Sequence, residues 1–315
     1  MSALIIDRPG MLTTVQDLGR RGYQALGVPV SGAMDPWSAR LANRLVGNPD
    51  RFAVLEVTLV GPRFTLERDA RIAVAGGDFE VRIQNEVRRV PFVSRLQKGV
   101  EVAFGTRTHG ARAYLAIDGG IATPAVLGSA STHLLTRMGG LGGRALKAGD
   151  RVPLGQSRNE PAGTPAHLER AAIRLGEVVT LRVLPGVTDD AVGEEALATL
   201  YGELFAISAD SDRMGYRLSN AGRWPTVSAS QLSGPTTAGA IQLPPDGTPI
   251  LLMADRQTTG GYLQIGVLQR ADRSIAGQLA PGDRVSFAPT THQAAAAAHA
   301  ALEAGLNAIL AEVRA

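Results

Sequence analysis

The sequence contains no cysteine and only two lysines among its 315 residues, and each shortage removes a class of chemistry. Without cysteine there is no thiolate nucleophile, no thiolate zinc site and no disulfide framework. Lys98 and Lys147 are the two lysines, which leaves 30 arginines among the 32 basic residues. Neither lysine lies in a Gly-x-x-x-x-Gly-Lys-[Ser/Thr] pattern, so a P-loop is excluded, and neither has the neighbouring methionine of a biotin-acceptor lysine. The five histidines, His109, His133, His167, His292 and His299, show no metal-ligand spacing, and no metal site is expected. A Gly-x-Ser-x-Gly elbow is absent too, which disfavours a serine hydrolase of the α/β type.

Charge and hydropathy exclude further classes. The 32 basic and 29 acidic residues give a net charge of +3, too little for a nucleic-acid footprint. No apolar run approaches bilayer length, and the first ten residues lack the basic leader and apolar core of a signal peptide. The expectation is a cytoplasmic protein without nucleic-acid or membrane partners. Apolar residues make up 44% of the chain, enough for a sizeable core, and its length suggests two domains.

Short apolar or alternating runs recur between turn residues, as in a β-rich sandwich or barrel: Ala53 to Val60, Arg71 to Ala75, Phe79 to Ile83, Val100 to Phe104, Ala113 to Ile117, Val178 to Leu184, Ala240 to Leu243 and Ile250 to Ala254. Three helices are predicted. Asp35 caps the first, with Pro36 at its opening position and Trp37, Leu41 and Leu45 along one face up to Gly47. The second runs from Asp189 to Tyr201 behind Thr188, and the third is the Ala-rich tail from about Thr291 to Arg314. Ala148-Gly-Asp-Arg-Val152 and Pro281-Gly-Asp-Arg-Val285 hint at an internal duplication. A Pro- and Gly-punctuated stretch, Gln156 to Ala171, reads as a linker, giving an N-terminal lobe over 1–165 and a C-terminal lobe over 166–315.

The densest polar signal is Asp255-Arg-Gln-Thr-Thr-Gly-Gly-Tyr262, directly after the apolar run Ile250 to Ala254. A strand ending in a carboxylate, a guanidinium, an amide, two hydroxyls and two glycines puts donors and acceptors on one rim turn, where a ligand can approach closely. A turn whose side chains satisfy local backbone groups is the alternative. Thr13, Thr14, Gln16, Asp17 and Arg20 form a second cluster, able either to orient an amide or carboxylate or to salt-bridge a turn. Asp212, Arg213 and Arg217 form a third. In Gly27 to Pro36, Ser31 and Gly32 precede a helix N-terminus that can accept an anion, although Asp35 already supplies the cap. Ala73 to Phe79 and Gly119-Gly120 read as strand-then-glycine turns, and Gly139 to Arg144 as a mobile loop able to close over a ligand.

Together these segments resemble the family of the 5-oxoprolinase C subunit, also described as allophanate hydrolase subunit 2, KipA-like or biotin-dependent carboxyltransferase-related. The resemblance rests on Pro9 to Arg20, Leu26 to Pro36, Leu41 to Pro49, Leu55 to Thr58, Tyr114 to Ile121, Ser211 to Leu218 and Ala254 to Tyr262, long motifs in order over nearly the whole chain. Two departures stand out: the spacing over Asn220 to Thr237 is altered, and Arg21 stands where the family pattern leads one to expect proline.

The resemblance implies a mainly β fold of two cyclophilin-like barrel lobes with a few short helices and a C-terminal helix. It further implies one component of an ATP-dependent amidohydrolase, inactive alone, that acts on a lactam or amide together with B-subunit homologues and A-subunit homologues. ATP and Mg²⁺ are expected in the complex, and no biotin on this chain. Opening a stable lactam needs its carbonyl oxygen activated by phosphorylation before water attacks, chemistry that suits arginines and Gly-rich turns. Asp255 and Asp212 are then expected to accept a proton or hold Mg²⁺, with Arg256 and Arg213 as the other catalytic residues. Arg20, Arg213 and Arg256 are expected to stabilise charge, and Thr13, Gln16, Asp17, Ser31, Gln257, Thr258, Thr259, Gly260 and Tyr262 to contribute to substrate binding. Two further readings are a regulatory module that captures a partner protein without chemistry and a carboxyltransferase component acting on a urea-like amide.

Overall fold

The computed structural model describes residues 2–157, 165, 167–186, 194–220, 224 and 232–314. The chain divides into two compact units: Met1–Arg20, Ser31–Arg174 and Ala304–Ala315 form the first, and Arg21–Val30 with Leu175–Glu303 form the second. Most of the expected linker lies outside the described residues, and this division falls after Arg174 rather than at 165. Two segments also depart from a simple split, since residues 21–30 belong to the second unit and residues 304–315 to the first.

The first unit is built on a nine-stranded sheet: β1 (Ala3–Arg8), β2 (Leu12–Gln16), β3 (Val54–Thr58), β4 (Arg63–Leu66), β5 (Ala70–Ile83), β6 (Glu86–Arg89), β7 (Phe92–Leu96), β8 (Val102–Ile117) and β9 (Arg151–Pro153). Its path runs β2-β3-β8-β4-β1-β9, and β5 pairs with β6, β7 and β8. Alternate residues Leu4, Ile6, Leu55, Val57, Ile72, Val74, Leu115 and Ile117 fill one core, as the period of two in a strand requires. Each such aliphatic side chain contributes about 1.5–3 kcal/mol by leaving water.

The expected turn at Gly76-Gly77 is instead the bulged middle of β5, with register shifts from Gly76 to Val81. A Cβ on Gly77 would meet the His109 carbonyl oxygen at 2.8 Å, so glycine is there to let β5 pass close to β8. Helix α1 (Pro36–Leu45) forms as expected: Asp35 Oδ1 accepts from the Ser38 amide at 3.0 Å, and Leu41 and Leu45 are fully buried.

The second unit closes a barrel in the order β10 (Val178–Pro185), β17 (Leu263–Leu268), β14 (Ala240–Leu243), β15 (Ile250–Leu252), β12 (Gly215–Ser219), β11 (Phe205–Ile207) and β18 (Arg284–Pro289). Closure leaves this sheet without an exposed edge. Inside it, Leu181, Val183, Phe205, Ile265 and Val285 are buried, and the Phe205 and Phe287 rings lie 5.6 Å apart. A two-stranded ribbon pairs β13 (Gly234–Pro235) with β16 (Thr259–Gly260). Helix α2 (Glu194–Gly202) buries Ala196 and Leu200 at the expected spacing, while its expected beginning lies outside the described residues. A short α3 (Arg273–Ala276) and the long α4 (His292–Arg314) follow, the latter matching the Ala-rich tail. The mainly β expectation holds, with one closed barrel and one open sheet.

The repeated Gly-Asp-Arg-Val fragments fold alike. Asp150 accepts from the Lys147 amide and Asp283 from the Ala280 amide, each at 2.8 Å and each ahead of a strand, β9 or β18. Gly149 and Gly282 hold φ of +85° and +92° in those turns, a conformation glycine adopts without strain.

Candidate functional site

The polar residues expected to bind substrate near the N-terminus do gather, but as a buried latch in the first unit. Asp17 Oδ1 accepts from the Gly19 amide at 2.8 Å, from Ser129 Oγ at 2.7 Å and from Ser131 Oγ, while Oδ2 accepts from the Ala130 amide at 2.7 Å. Arg20, with 0% exposure, donates from Nε to the Val126 carbonyl at 2.8 Å and from Nη2 to the Ser131 carbonyl at 2.9 Å. Gln16 Nε2 and Ser31 Oγ both donate to the Thr132 carbonyl, each at 3.0 Å. Thr13 Oγ1 donates to the Pro9 carbonyl at 2.6 Å.

These bonds fasten residues 126–132 against the end of β2. Each charge-assisted bond of this kind contributes about 1.5–3 kcal/mol. Thr13, Gln16, Asp17, Arg20 and Ser31 are all buried, and the partners of their side chains given above are the protein's own backbone and hydroxyl groups. Gly139 and Gly140 are likewise packed: a Cβ on Gly139 would overlap the Ser131 carbonyl, and one on Gly140 would overlap Thr132 Oγ1. They therefore form a close crossing over the latch, in place of the expected mobile loop. At Gly119 the amide donates to Asn48 Oδ1 at 2.9 Å, and a Cβ there would overlap the Gln156 carbonyl, so that turn is structural.

A second buried network in the first unit escaped sequence reasoning. Glu56 Oε2 accepts from Tyr114 Oη and from the Met34 amide, both at 2.8 Å, and Tyr114 Oη accepts from the Asp35 amide at 2.7 Å. Burial, then the charges of Glu56 and Asp35, push the Tyr114 hydroxyl well above its ordinary pKa. Tyr114 thus stays a neutral donor and acceptor that seats the start of α1. Glu-Val-Thr after an apolar run was the only sequence signal for it.

In the second unit the residues of the expected rim site follow β15 and divide by burial. Asp255 and Arg256 are buried, whereas Gln257, Thr259 and Tyr262 are exposed. Arg213 grips Asp255 through two bonds, Nε to Oδ2 at 2.9 Å and Nη2 to Oδ1 at 3.0 Å, with both side chains 5% exposed. The Asp255 amide donates to the Arg213 carbonyl at 2.8 Å, which ties the start of β12 to the end of β15. This clamp gives Asp255 a positioning role. Asp212 is exposed, and its Oδ1 accepts from the Met214 and Gly215 amides at 2.7 and 3.3 Å, an Asx turn. Among the described residues no group of three carboxylates or imidazoles is placed to hold a metal ion.

Beyond the clamp, Thr236 fastens the turn, its amide donating to the Thr258 carbonyl at 3.0 Å and its hydroxyl to the Gln257 carbonyl. Gln257 Nε2 donates to Oε1 of the buried Gln242 at 3.4 Å. A Cβ on Gly260 would come within 2.8 Å of both amide nitrogens, so glycine lets β16 approach them. Gln24 of the 21–30 segment donates to the Thr236 carbonyl at 3.3 Å. Of the three arginines expected to stabilise charge, Arg20 and Arg213 are engaged elsewhere and Arg256 remains. The charges of Arg21 and Arg273 lie near it, and Arg270 acts on Arg273 in turn.

With the geometry in place, the class of protein follows. The model of the carboxyltransferase domain, subdomains A and B, matches residues 26–289, and the chain belongs to that family. It is 36% identical over 285 residues to the C subunit of 5-oxoprolinase from Escherichia coli (strain K12), covering 90% of each chain. It is 34% identical over 315 residues to the urea amidolyase of Lachancea kluyveri, covering 93% of this chain and 17% of that one. The crystal structure of the Kluyveromyces lactis urea amidolyase superposes with a TM-score of 0.89 at 31% identity, over 98% of this chain and 20% of the other. The chain is thus similar to a whole subunit of one enzyme system and to about a fifth of another.

Proposed function

We propose that this chain is the C subunit of a hetero-oligomeric 5-oxoprolinase, which opens the lactam C–N bond of 5-oxoproline to give glutamate with hydrolysis of ATP. One observation carries the reading: the likeness to the 5-oxoprolinase C subunit extends over 90% of both chains, whereas urea amidolyase is matched over 17% of its length.

Chemically, the lactam carbonyl is a poor electrophile. Transfer of a phosphoryl group to its oxygen, followed by water attack at the ring carbon, releases phosphate and breaks the C–N bond. The nitrogen takes up a proton and becomes the amino group of glutamate. A second-unit rim with Arg256, Gln242, Gln257 and the Thr259 hydroxyl suits binding of such anionic species by hydrogen bonds rather than covalent attack by the protein. In this reading Mg²⁺–ATP enters with the B-subunit and A-subunit partners, and the chain by itself is inactive.

Mixing the purified chain with its B and A partners and measuring glutamate release from 5-oxoproline, with and without ATP, tests the reading. Release that requires all chains and ATP supports it. A verified complex that releases no glutamate overturns it. The alternative, carboxyl transfer to a urea-like amide, is favoured by the TM-score of 0.89 to urea amidolyase and predicts turnover only with a biotinylated carrier.

A further inference from the structure

Four arginines of the second unit, Arg21, Arg256, Arg270 and Arg273, are linked by mutual charge repulsion, and Arg256 is on the rim turn. Arg256 is 7% exposed, its Nε is buried without a hydrogen-bond partner, and none of its side-chain nitrogens bonds to a described residue. Arg273 repeats the pattern, with a buried, unpartnered Nε that would lie 3.3 Å from a Cβ on Gly239. Arg21 and Arg270 are exposed; Arg21 is close enough for its charge to act on both Arg256 and the half-buried Arg273, and Arg270 on Arg273.

Carboxylates next to the cluster are committed to other cations. Asp255, adjacent in sequence to Arg256, is gripped by Arg213 through two bonds. Asp272, adjacent to Arg273, accepts from Arg182 Nη2 at 2.6 Å and from Gln269 Nε2 at 2.8 Å. Two aspartates thus lie one residue away from the buried Arg256 and the half-buried Arg273 and neutralise a different arginine each. The result is a concentration of positive charge.

The electrostatic consequence is visible on both side chains. Burial, then the charges of Arg256, Arg270 and Arg21, push the Arg273 guanidinium down to about 10. Arg256 is lowered by burial and then by Arg21. Buried like charges without counter-charges oppose folding, and an anion bound among them relieves both burial and repulsion.

We propose that Arg256 and Arg273, with Arg21 and Arg270 at the entrance, form an oxyanion-binding site for the charged group of the substrate, a carboxylate or a transferred phosphoryl. This deepens the reading above and rests on it for the identity of the ligand. Guanidinium groups match both oxyanions, since planar forked donors bond two oxygens at once. Gly239 permits the close approach of Arg273, and the Gln242–Gln257 amide pair lies at the turn that carries Arg256.

The test uses the full-length chain alone. Thermal unfolding is followed in potassium phosphate and, separately, with 5-oxoproline, each against potassium chloride at equal ionic strength. The wild-type midpoint is expected to rise saturably with at least one of the two. Arg256→Gln and Arg273→Gln are expected to weaken the apparent affinity roughly tenfold or more, yet to unfold no lower than wild type in chloride, because each removes a repelled cation. Arg217→Gln, at an exposed arginine of β12 outside the cluster, keeps the wild-type response. A response to phosphate alone assigns the phosphoryl group, and a response to 5-oxoproline assigns the carboxylate. No rise with either, or equal rises in wild type and Arg273→Gln, overturns the proposal. Loss of glutamate release with intact anion binding would sink only the hydrolase reading, because this measurement needs neither partner nor turnover.

Discussion

The Arg213–Asp255 clamp sets the position of the rim turn, and its energetics can be worked from its burial. Removing one partner leaves the other charge in a site that is 5% exposed. Asp255→Leu or Arg213→Met is therefore expected to cost about 3–5 kcal/mol, the range for breaking a buried pair. Replacing both, as in Arg213→Met with Asp255→Leu, removes the desolvation penalty together with the attraction and should cost no more than about 2 kcal/mol. The double variant then lies several kcal/mol above the sum of the singles, a coupling that distant, independent sites do not show. Urea unfolding followed by tryptophan fluorescence reads this out, because Trp224 packs on Phe205 in the second unit at 5.8 Å while Trp37 lies on α1 of the first. Single variants costing under about 1 kcal/mol, or a double variant as unstable as the summed singles, would refute a clamp built on two buried charges.

Two further outcomes test the first unit. Gly140 holds φ of +53° and a Cβ there overlaps Thr132 Oγ1, whereas Gly142, at φ +69°, has nothing within 4 Å. Gly142→Ala is expected to cost about 1–2 kcal/mol for left-handed backbone alone, and Gly140→Ala a further 1–3 kcal/mol or so from overpacking; equal losses in urea melts would contradict a packed crossing. Asp150 accepts hydrogen bonds from Arg144, which hold its carboxyl below the ordinary 3.8. Its folded pKa is depressed, so its stabilisation is fully present above the unfolded value and lost as pH falls through the folded one. Asp150→Asn should flatten the fall in stability below about pH 4, and an unchanged acid limb would remove Asp150 from that account.

Features set by a few neighbouring residues were legible in the sequence. Asp35-Pro36 started α1 as capping chemistry requires, and the two Gly-Asp-Arg-Val fragments folded into one kind of turn because each aspartate needs only the amide three residues back. Gly76-Gly77 was misread because a bulge and a tight turn both call for glycine, and only the strand opposite tells them apart. Residues 21–30 belong with a unit that otherwise begins at residue 175, and no local composition marks that return. The arginine cluster was hidden for the same reason, since Arg21, Arg256 and Arg273 are separated by 235 and 17 positions, the differences of their residue numbers, among 30 arginines.

Three of the motifs expected to bind an anion carry an aspartate and an arginine close together in sequence, yet they end in different physical states. In the first unit, Asp17 and Arg20 each find backbone or hydroxyl partners on residues 126–132, so the motif is a fastening. In the second unit Asp255 turns away from its neighbour Arg256 to hold Arg213 from 42 residues upstream. That choice settles two roles: the aspartate and the distant arginine cancel in a buried pair, and the adjacent arginine keeps its charge. Had Asp255 paired with Arg256, the cluster of Arg21, Arg256, Arg270 and Arg273 would carry one uncompensated cation fewer. The density of charged residues in a motif therefore does not locate an anion site; among the described residues of the second unit the buried guanidinium nitrogens that lack an acceptor are the Nε atoms of Arg256 and Arg273, away from the Arg213–Asp255 pair.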